Sequence, residues 1–461
     1  MKKNLLLIVF LFVCITLNAQ LWSSQTTNFA GTSIGVDQVS IVDSNIVWIN
    51  GFLGDGSGLK TRAHSRTQNG GTTWTAGSYN GMTGNVYPQV LTGVNYSTAF
   101  CVAYDSNAST ASFWKTTDGG SNWSIVTGIM NTGTTTFADG VLFWNSQKGF
   151  CYGDPVSSKF DIYTTNDGGS TWNSVAGGNI SAPLSGEYGF NGADCQCKVA
   201  GGIGMFITNK GRVYKTTDYG ATWAITPTAP FTVAYSNKIY ASSANYIIVA
   251  ATLTSTSTTF TWKYTTDGGT TWQTYAPTGN FYQYGMTYVP KSPNMFVATS
   301  PNTTTIKGVA YSMDGGLSWT DYLDALLQPT AGTNIQCLGV GFYSPQIGWV
   351  GNYGTGTNTI LKYYNPASTV GIPEVETINV NDVNVYPNPA NNVVTFNINS
   401  KNNSDFTIKL IDVTGKTVYE KEMNVNNITS TTFDCSLLAR GLYIVNVTNK
   451  NNSINKKLTI K

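Results

Sequence analysis

The 461-residue chain has a formal net charge of +2, and Lys2 and Lys3 account for all of it: from residue 21 onward, 24 Lys and Arg face 24 Asp and Glu. A mature chain so balanced has no electrostatic hold on polyanions, which excludes nucleic acid as the expected ligand. Charged residues are only 11% and aromatics 13%, a composition that favours strands and turns around a large aromatic core over helices or disorder.

At the N terminus, Lys2 and Lys3 precede an apolar run from Leu5 to Leu17 and then Asn18, Ala19 and Gln20. This pattern predicts a secretory signal peptide over residues 1–20, cut beside Ala19 or Gln20. The apolar run falls short of the roughly 20 residues a membrane span needs, and no later segment supplies one. The six remaining cysteines, Cys101, Cys151, Cys195, Cys197, Cys337 and Cys435, lack the spacing of a disulfide scaffold. Buried free thiols are expected, with a Cys101–Cys151 bond as the alternative.

From residue 21 to about 366 the chain repeats. Six boxes align: Thr67-Gln-Asn-Gly-Gly-Thr-Thr-Trp74, Thr116-Thr-Asp-Gly-Gly-Ser-Asn-Trp123, Thr165-Asn-Asp-Gly-Gly-Ser-Thr-Trp172, Thr217-Asp-Tyr-Gly-Ala-Thr-Trp223, Thr266-Asp-Gly-Gly-Thr-Thr-Trp272 and Met313-Asp-Gly-Gly-Leu-Ser-Trp319. Their tryptophans lie 49, 49, 51, 49 and 47 residues apart, room for one four-stranded sheet and too little for a domain. In each box the acidic or amide side chain (Asn69, Asp118, Asp167, Asp218, Asp267, Asp314) is expected to accept hydrogen bonds from its own turn. The second Gly recurs in all six, whereas Tyr219 occupies the first position of the fourth box. Each Trp is large enough to wedge adjacent sheets. Burying about 150–250 Å² of ring is worth roughly 4–6 kcal/mol before entropy.

These boxes resemble the Asp-box, or BNR, repeat of sialidases and related β-propellers, and the segment around Gly348-Trp-Val-Gly351 resembles propellers of the photosystem II assembly-factor type. The resemblance implies a propeller over residues 21–366. Residues 336–365 supply three strands and no box, while Trp22-Ser-Ser-Gln25 looks like a fourth strand. The expectation is seven blades, the last completed by the N-terminal strand. A six-bladed ring with a ragged end is the alternative.

Residues 367–381 are short on aromatics and are expected to be a linker. Beyond them the period is lost and short alternating strands appear at Val394–Ile398, Phe406–Ile411, Gly441–Val447 and Lys457–Ile460, predicting a small Ig-like β-sandwich over 382–461. The segments Val385-Tyr-Pro-Asn-Pro389, Asp412-Val-Thr-Gly-Lys416, Ala439-Arg-Gly-Leu-Tyr443 and Lys456-Lys-Leu-Thr-Ile-Lys461 together resemble the type A C-terminal sorting domain of the bacterial type IX secretion system. That resemblance implies a partner in the outer-membrane export machinery and a secreted or surface-attached product. The predicted class is therefore all-β: a seven-bladed β-propeller followed by a small β-sandwich.

The resemblance to sialidases implies three Arg from different blades gripping a carboxylate. Only Arg62, Arg66 and Arg212 occur in the propeller, the first two in one blade, and Lys cannot reproduce the bidentate fork. Sialidase activity is not expected. Other glycoside hydrolases need two carboxylates roughly 5–9.5 Å apart. Asp55, Asp105 and Asp154, near the ends of second strands, and Glu187, the sole Glu of the propeller, are the candidates on the face opposite the boxes. Tyr188, Phe281, Tyr282, Tyr284 and Tyr322 fall in loops expected on that same face, available to stack on a ligand or to pack between blades. His64 is the only His, no Cys cluster has zinc spacing, and Asp55 alone is too little for Ca²⁺ in Gly51-Phe-Leu-Gly-Asp-Gly56. No cofactor or metal is expected. The sequence points to a binding or scaffold module for a glycan or surface protein, with a polysaccharide hydrolase as the alternative.

Overall fold

The computed structural model describes residues 21–55, 61–130, 137–301, 307–322, 327, 335–353, 358–365, 380–412, 416–449 and 452–461. The expected signal peptide and most of the expected linker lie outside them. The chain divides into two compact units after Pro366.

In the first unit, each 50-residue repeat folds as a four-stranded antiparallel sheet. Blade 1 comprises Ile34–Ile41, Val47–Leu53, Ala63–Thr67 and Thr75–Ser78. The innermost strands of the following blades are Val86–Gly93, Ala138–Phe143, Gln196–Val199, Ser236–Ala241, Gly285–Tyr288 and Cys337–Ser344. Each of the seven touches the next, and the last touches the first. The described sheets thus close a ring of seven, and the six-bladed alternative falls. Blade 7 is completed by the N-terminal strand Trp22–Thr26, which pairs antiparallel with Thr359–Tyr364 from Trp22↔Tyr363 to Thr26↔Thr359. Trp22 is buried there, against Tyr322 (5.3 Å between ring centroids) and Tyr363 (5.0 Å).

The boxes sit at the turn between third and fourth strands. In blade 2 the Thr116 hydroxyl donates to Asp118 Oδ1 (2.9 Å) and accepts from Gly120 N–H (2.8 Å), while Asn122 N–H donates to Asp118 Oδ1 (3.0 Å). The same three bonds recur at Asp167, Asp218, Asp267 and Asp314, with Ser312 in place of Thr in the last, and at Asn69. Donors around the ionised form hold Asp118 and Asp167 down at about 2. Both glycine positions take positive φ, and Tyr219 bears it too (φ 61°). The second position meets the preceding blade in all six boxes. A Cβ on Gly120 would collide with the His64 ring of blade 1, and one on Gly169 with Phe100 of blade 2. The backbone of each box is therefore pressed against the preceding blade.

The box tryptophans complete this contact. Trp123 packs on Tyr79 (4.7 Å) and His64 (5.7 Å) of blade 1, Trp172 on Phe100 and Phe113 of blade 2, and Trp223 on Phe150 of blade 3 (4.9 Å). The chain leaving one blade is also pinned to the next box: Asn28 Nδ2 donates to Trp74 O (2.7 Å), Trp123 N–H to Asn80 O (3.1 Å) and Trp223 N–H to Asn179 O (2.7 Å). In blade 6 this becomes an extra parallel strand, Thr278–Gly279 against Ser318–Asp321. The six described cysteines are free thiols, so the alternative Cys101–Cys151 bond does not form.

The second unit departs in detail from the expected strands. Val394–Ile398 and Phe406–Ile411 are parts of one strand, Val393–Ile411, whose register shifts between Ser400 and Ser404. It pairs along its length with Thr417–Asp434, with Val380–Tyr386 on its first half and with Gly441–Asn449 on its second. Asn452–Ile460 completes the network. Val394, Phe396, Ile398, Phe406, Ile408 and Leu410 alternate inward on both halves and meet Cys435, Val445 and Leu458 in one core. Val380 already belongs to a strand, inside the stretch expected as linker.

Candidate functional site

A turn between third and fourth strands lies at the opposite end of the blade from one between second and third strands, so the boxes occupy one rim and Asp55, Asp105 and Asp154 the other. The inner strands bulge toward that second rim at one recurring place, at Asp37 in blade 1, Gln89 in blade 2 and Asp139 in blade 3. The axis of the ring is crossed by the short turn Ala193–Cys195 leading into blade 4. It touches the inner strands of blades 5 and 2, which are not neighbours, and so spans the middle. Lys238 of blade 5 secures it through Asp194 Oδ2 (2.9 Å) and also donates to the carbonyl of Tyr284.

Off the axis lies a surface groove of about 490 Å³. One wall is the blade 3 hairpin at Asp154, Pro155 and Ser158; the other is the segment Pro183–Tyr188 that runs on toward blade 4. This segment is held by a buried ion pair. Glu187, with no exposed side-chain surface, accepts from Arg212 (2.8 Å), from the Thr208 hydroxyl (2.6 Å) and from Leu184 N–H (2.7 Å). Arg212 also donates to Ala182 O (3.2 Å). Both Glu187 oxygens are therefore engaged, and their task is to clasp the loop whose outer face presents Leu184 and Tyr188, 54% and 43% exposed.

Beneath the hairpin wall, Asp139 is buried with 1% exposure, and no N–H or O–H of the described residues is positioned to donate to it. It faces Asp154. Burial, reinforced by the neighbouring carboxylate, raises Asp139 well above the usual range, and burial pushes Asp154 up to about 6 against the opposing hydrogen bonds from Gly189 N–H (2.9 Å) and Asp139. Burial thus favours the protonated form of Asp139. A Cβ on Gly189 would overlap Asp139 Oδ2, so glycine is what lets the loop backbone close over the pair.

Of the expected ligand residues, the groove brings together Asp154, Glu187 and Tyr188. The others stand apart. Asp105 caps its own turn, accepting from Asn107 and Ala108 N–H (2.9 and 3.2 Å), and Asp55 is an exposed residue after the second strand of blade 1. Tyr282 and Tyr322 do not offer rings to solvent: Tyr282 is 2% exposed and bonds Asp321 (3.0 Å), while Tyr322 packs on Trp22 and Tyr363. The reason is that the segments between blades fold back over the seams they cross, and aromatics there fill the wedge. The box residues Asn69, Asp118, Asp167, Asp218, Asp267 and Asp314 are engaged in their own turns on the far rim. Sequence reasoning passed over Asp139 and the Glu187–Arg212 pairing. An acid inside the otherwise apolar strand Ala138-Asp-Gly-Val-Leu-Phe143, at the bulge shared with Asp37, was the available signal.

The three propeller arginines do not converge. Arg62 donates to Val86 O (2.9 Å) and lies over Tyr87, Arg66 lies over Trp48 and Tyr96, and Arg212 belongs to the clasp. Among the described residues no group of three or more His, Cys, Asp or Glu is placed to hold a metal ion, and no helix is long and apolar enough to cross a membrane.

Residues 384–461 match the family described as the secretion system C-terminal sorting domain. The chain carries that domain behind its propeller, and the protein is exported by type IX secretion and is secreted or attached to the outer cell surface. A comparison with curated proteins finds no match. Among solved structures it is similar to YCF48 from Cyanidioschyzon merolae (16% identity, 75% of this chain and 99% of that one, TM-score 0.47). It is also similar to YCF48 bound to D1 peptide (14% identity, 76% and 96%, TM-score 0.46) and to the Hadza microbial sialidase Hz136 (12% identity, 72% and 66%, TM-score 0.36).

Proposed function

We propose that the propeller is an extracellular binding module that takes a glycan or surface protein in the groove between Asp154 and Tyr188. The observation that carries this is the clasp: Glu187 and Arg212 are spent on fixing the groove wall, which leaves a preformed recess with exposed apolar side chains and one accessible carboxylate. A turn across the axis occupies the middle of the ring, which directs a ligand to this off-axis recess. The sorting domain delivers the module, and the export machinery is its partner.

A second reading has its own support. Asp154 and Glu187 line one groove, and a carboxyl pushed up to about 6 has the profile of a general acid. Against it, Glu187 has neither oxygen free to act as nucleophile or base. A glycan and surface-protein array with parallel hydrolysis assays, run on the mature chain, separates the two. Retention without cleavage, weakened by Tyr188→Ala, is the expected result. Cleavage that is lost in Asp154→Asn and Glu187→Gln would replace the binding module with a hydrolase.

A further inference from the structure

Resting on the binding reading, we infer that the groove selects a ligand bearing a cationic group on an apolar stem, a lysine or arginine side chain of a partner protein. The charge inventory of the recess leads there. Arg212 neutralises Glu187, and Asp139 keeps its proton, so Asp154 is the one lining carboxylate whose charge no described cation offsets. A carboxylate has about four acceptor positions. Asp154 uses one for Gly189 N–H, which leaves room for a donor from the groove.

The remaining wall fits the stem rather than the head. Pro155, Pro183, Leu184 and Tyr188 present carbon along both sides, while Ser158 and Ser185 are the only hydroxyls of small side chains there. An ammonium or guanidinium thus reaches a carboxylate on the hairpin wall while its methylenes lie on apolar surface. A sugar ring would instead want a flat aromatic platform and several polar partners, and Tyr188 alone supplies the ring. The Asp154 carboxylate is preorganised: the Gly189 amide holds its Oδ1, so the side chain is oriented before a ligand arrives.

The test uses the mature chain and fluorescence anisotropy with a labelled acetyl-(Gly-Lys)₃-amide, its Nε-acetylated counterpart and a glucosamine oligomer. The expected result at pH 8 is at least tenfold tighter binding of the lysine peptide than of the acetylated one, a preference abolished by Asp154→Asn. Binding to the wild type should fall as the pH drops through about 6, where Asp154 takes up its proton. The titratable and charged groups around it are Asp139 and Tyr152 from blade 3 and Glu187, Arg212 and Tyr188 from the opposing wall. Equal binding of both peptides, lost together in Tyr188→Ala, would sink the cationic inference and leave the binding module standing. Asp154-dependent binding of the glucosamine oligomer without the peptide would overturn the protein partner in favour of an amino sugar. Binding insensitive to both Asp154→Asn and Tyr188→Ala would remove the groove from either account.

Discussion

Replacing Arg212 with Met strips the positive partner from a Glu187 side chain that has no exposed surface, while the Arg212 side chain itself is 11% exposed. Breaking a buried pair from one side leaves an uncompensated charge in low dielectric, a cost of about 3–5 kcal/mol. Two further bonds to Glu187, from Thr208 and Leu184, partly shield that charge, which places the expectation toward the lower end. Equilibrium urea unfolding of the mature protein followed by tryptophan emission gives the loss. Limited proteolysis locates it, because opening of the clasp should expose residues 182–188 before the blades unfold. The double variant Arg212→Met/Glu187→Gln should recover most of the stability, to within about 1–2 kcal/mol of wild type, since no charge is then stranded. A single variant that loses under about 1 kcal/mol, or a double variant no better than the single, would refute the clasp.

Three other outcomes follow from the ring. Trp22→Ala removes the indole that joins the N-terminal strand to Tyr322 and Tyr363, and should cost about 3–5 kcal/mol in the same unfolding assay. Gly120→Ala and Gly84→Ala both burden a positive φ (82° and 61°), but only the first meets the preceding blade, at His64. Gly84→Ala should cost about 1–2 kcal/mol and Gly120→Ala clearly more, and equal losses would remove the blade contact from the explanation. Burial is the main reason the His64 imidazole is lowered to about 4, so its contribution to stability is complete above its unfolded value of 6.5 and drains away as pH falls toward 4. Asp37 and Asp154, raised to about 7 and about 6, act in the opposite sense, favouring the fold more as pH drops toward 3.8. Comparing His64→Gln with wild type isolates the first term: the variant should gain up to about 3 kcal/mol relative to wild type between pH 7 and 4.

The ring was legible because its signals are local and repeated. A turn that needs a carboxylate or amide, a hydroxyl and a glycine at fixed offsets writes itself into the sequence six times, and Trp22 carries the same tryptophan to the end that closes blade 7. Tyr219 at a positive-φ position shows the limit of that reading: the fourth turn adopts the left-handed conformation without glycine, and only the following Gly220 is dictated by the neighbouring chain. The groove was only half legible. Asp154 and Tyr188 were selected for position in the repeat and Glu187 as the sole Glu of the propeller, but their roles depend on Arg212 and Asp139 in other strands, whose approach no spacing announces. Tyr282 and Tyr322 take the packing alternative, since burial in a seam is decided by the blade on the other side. In the second unit the alternation of Phe396, Ile398, Phe406 and Ile408 was visible, while the continuity of the strand between them was not.

Hydrogen–deuterium exchange of the mature protein, with and without the ligand that binds it most tightly on the array, tests the central claim most directly. Protection confined to the hairpin at residues 154–159 and the clasped segment at 182–190 is the predicted result, with the box rim unchanged. Protection centred on the turn Ala193–Cys195 at the ring axis, or on the boxes, would contradict an off-axis groove as the working site.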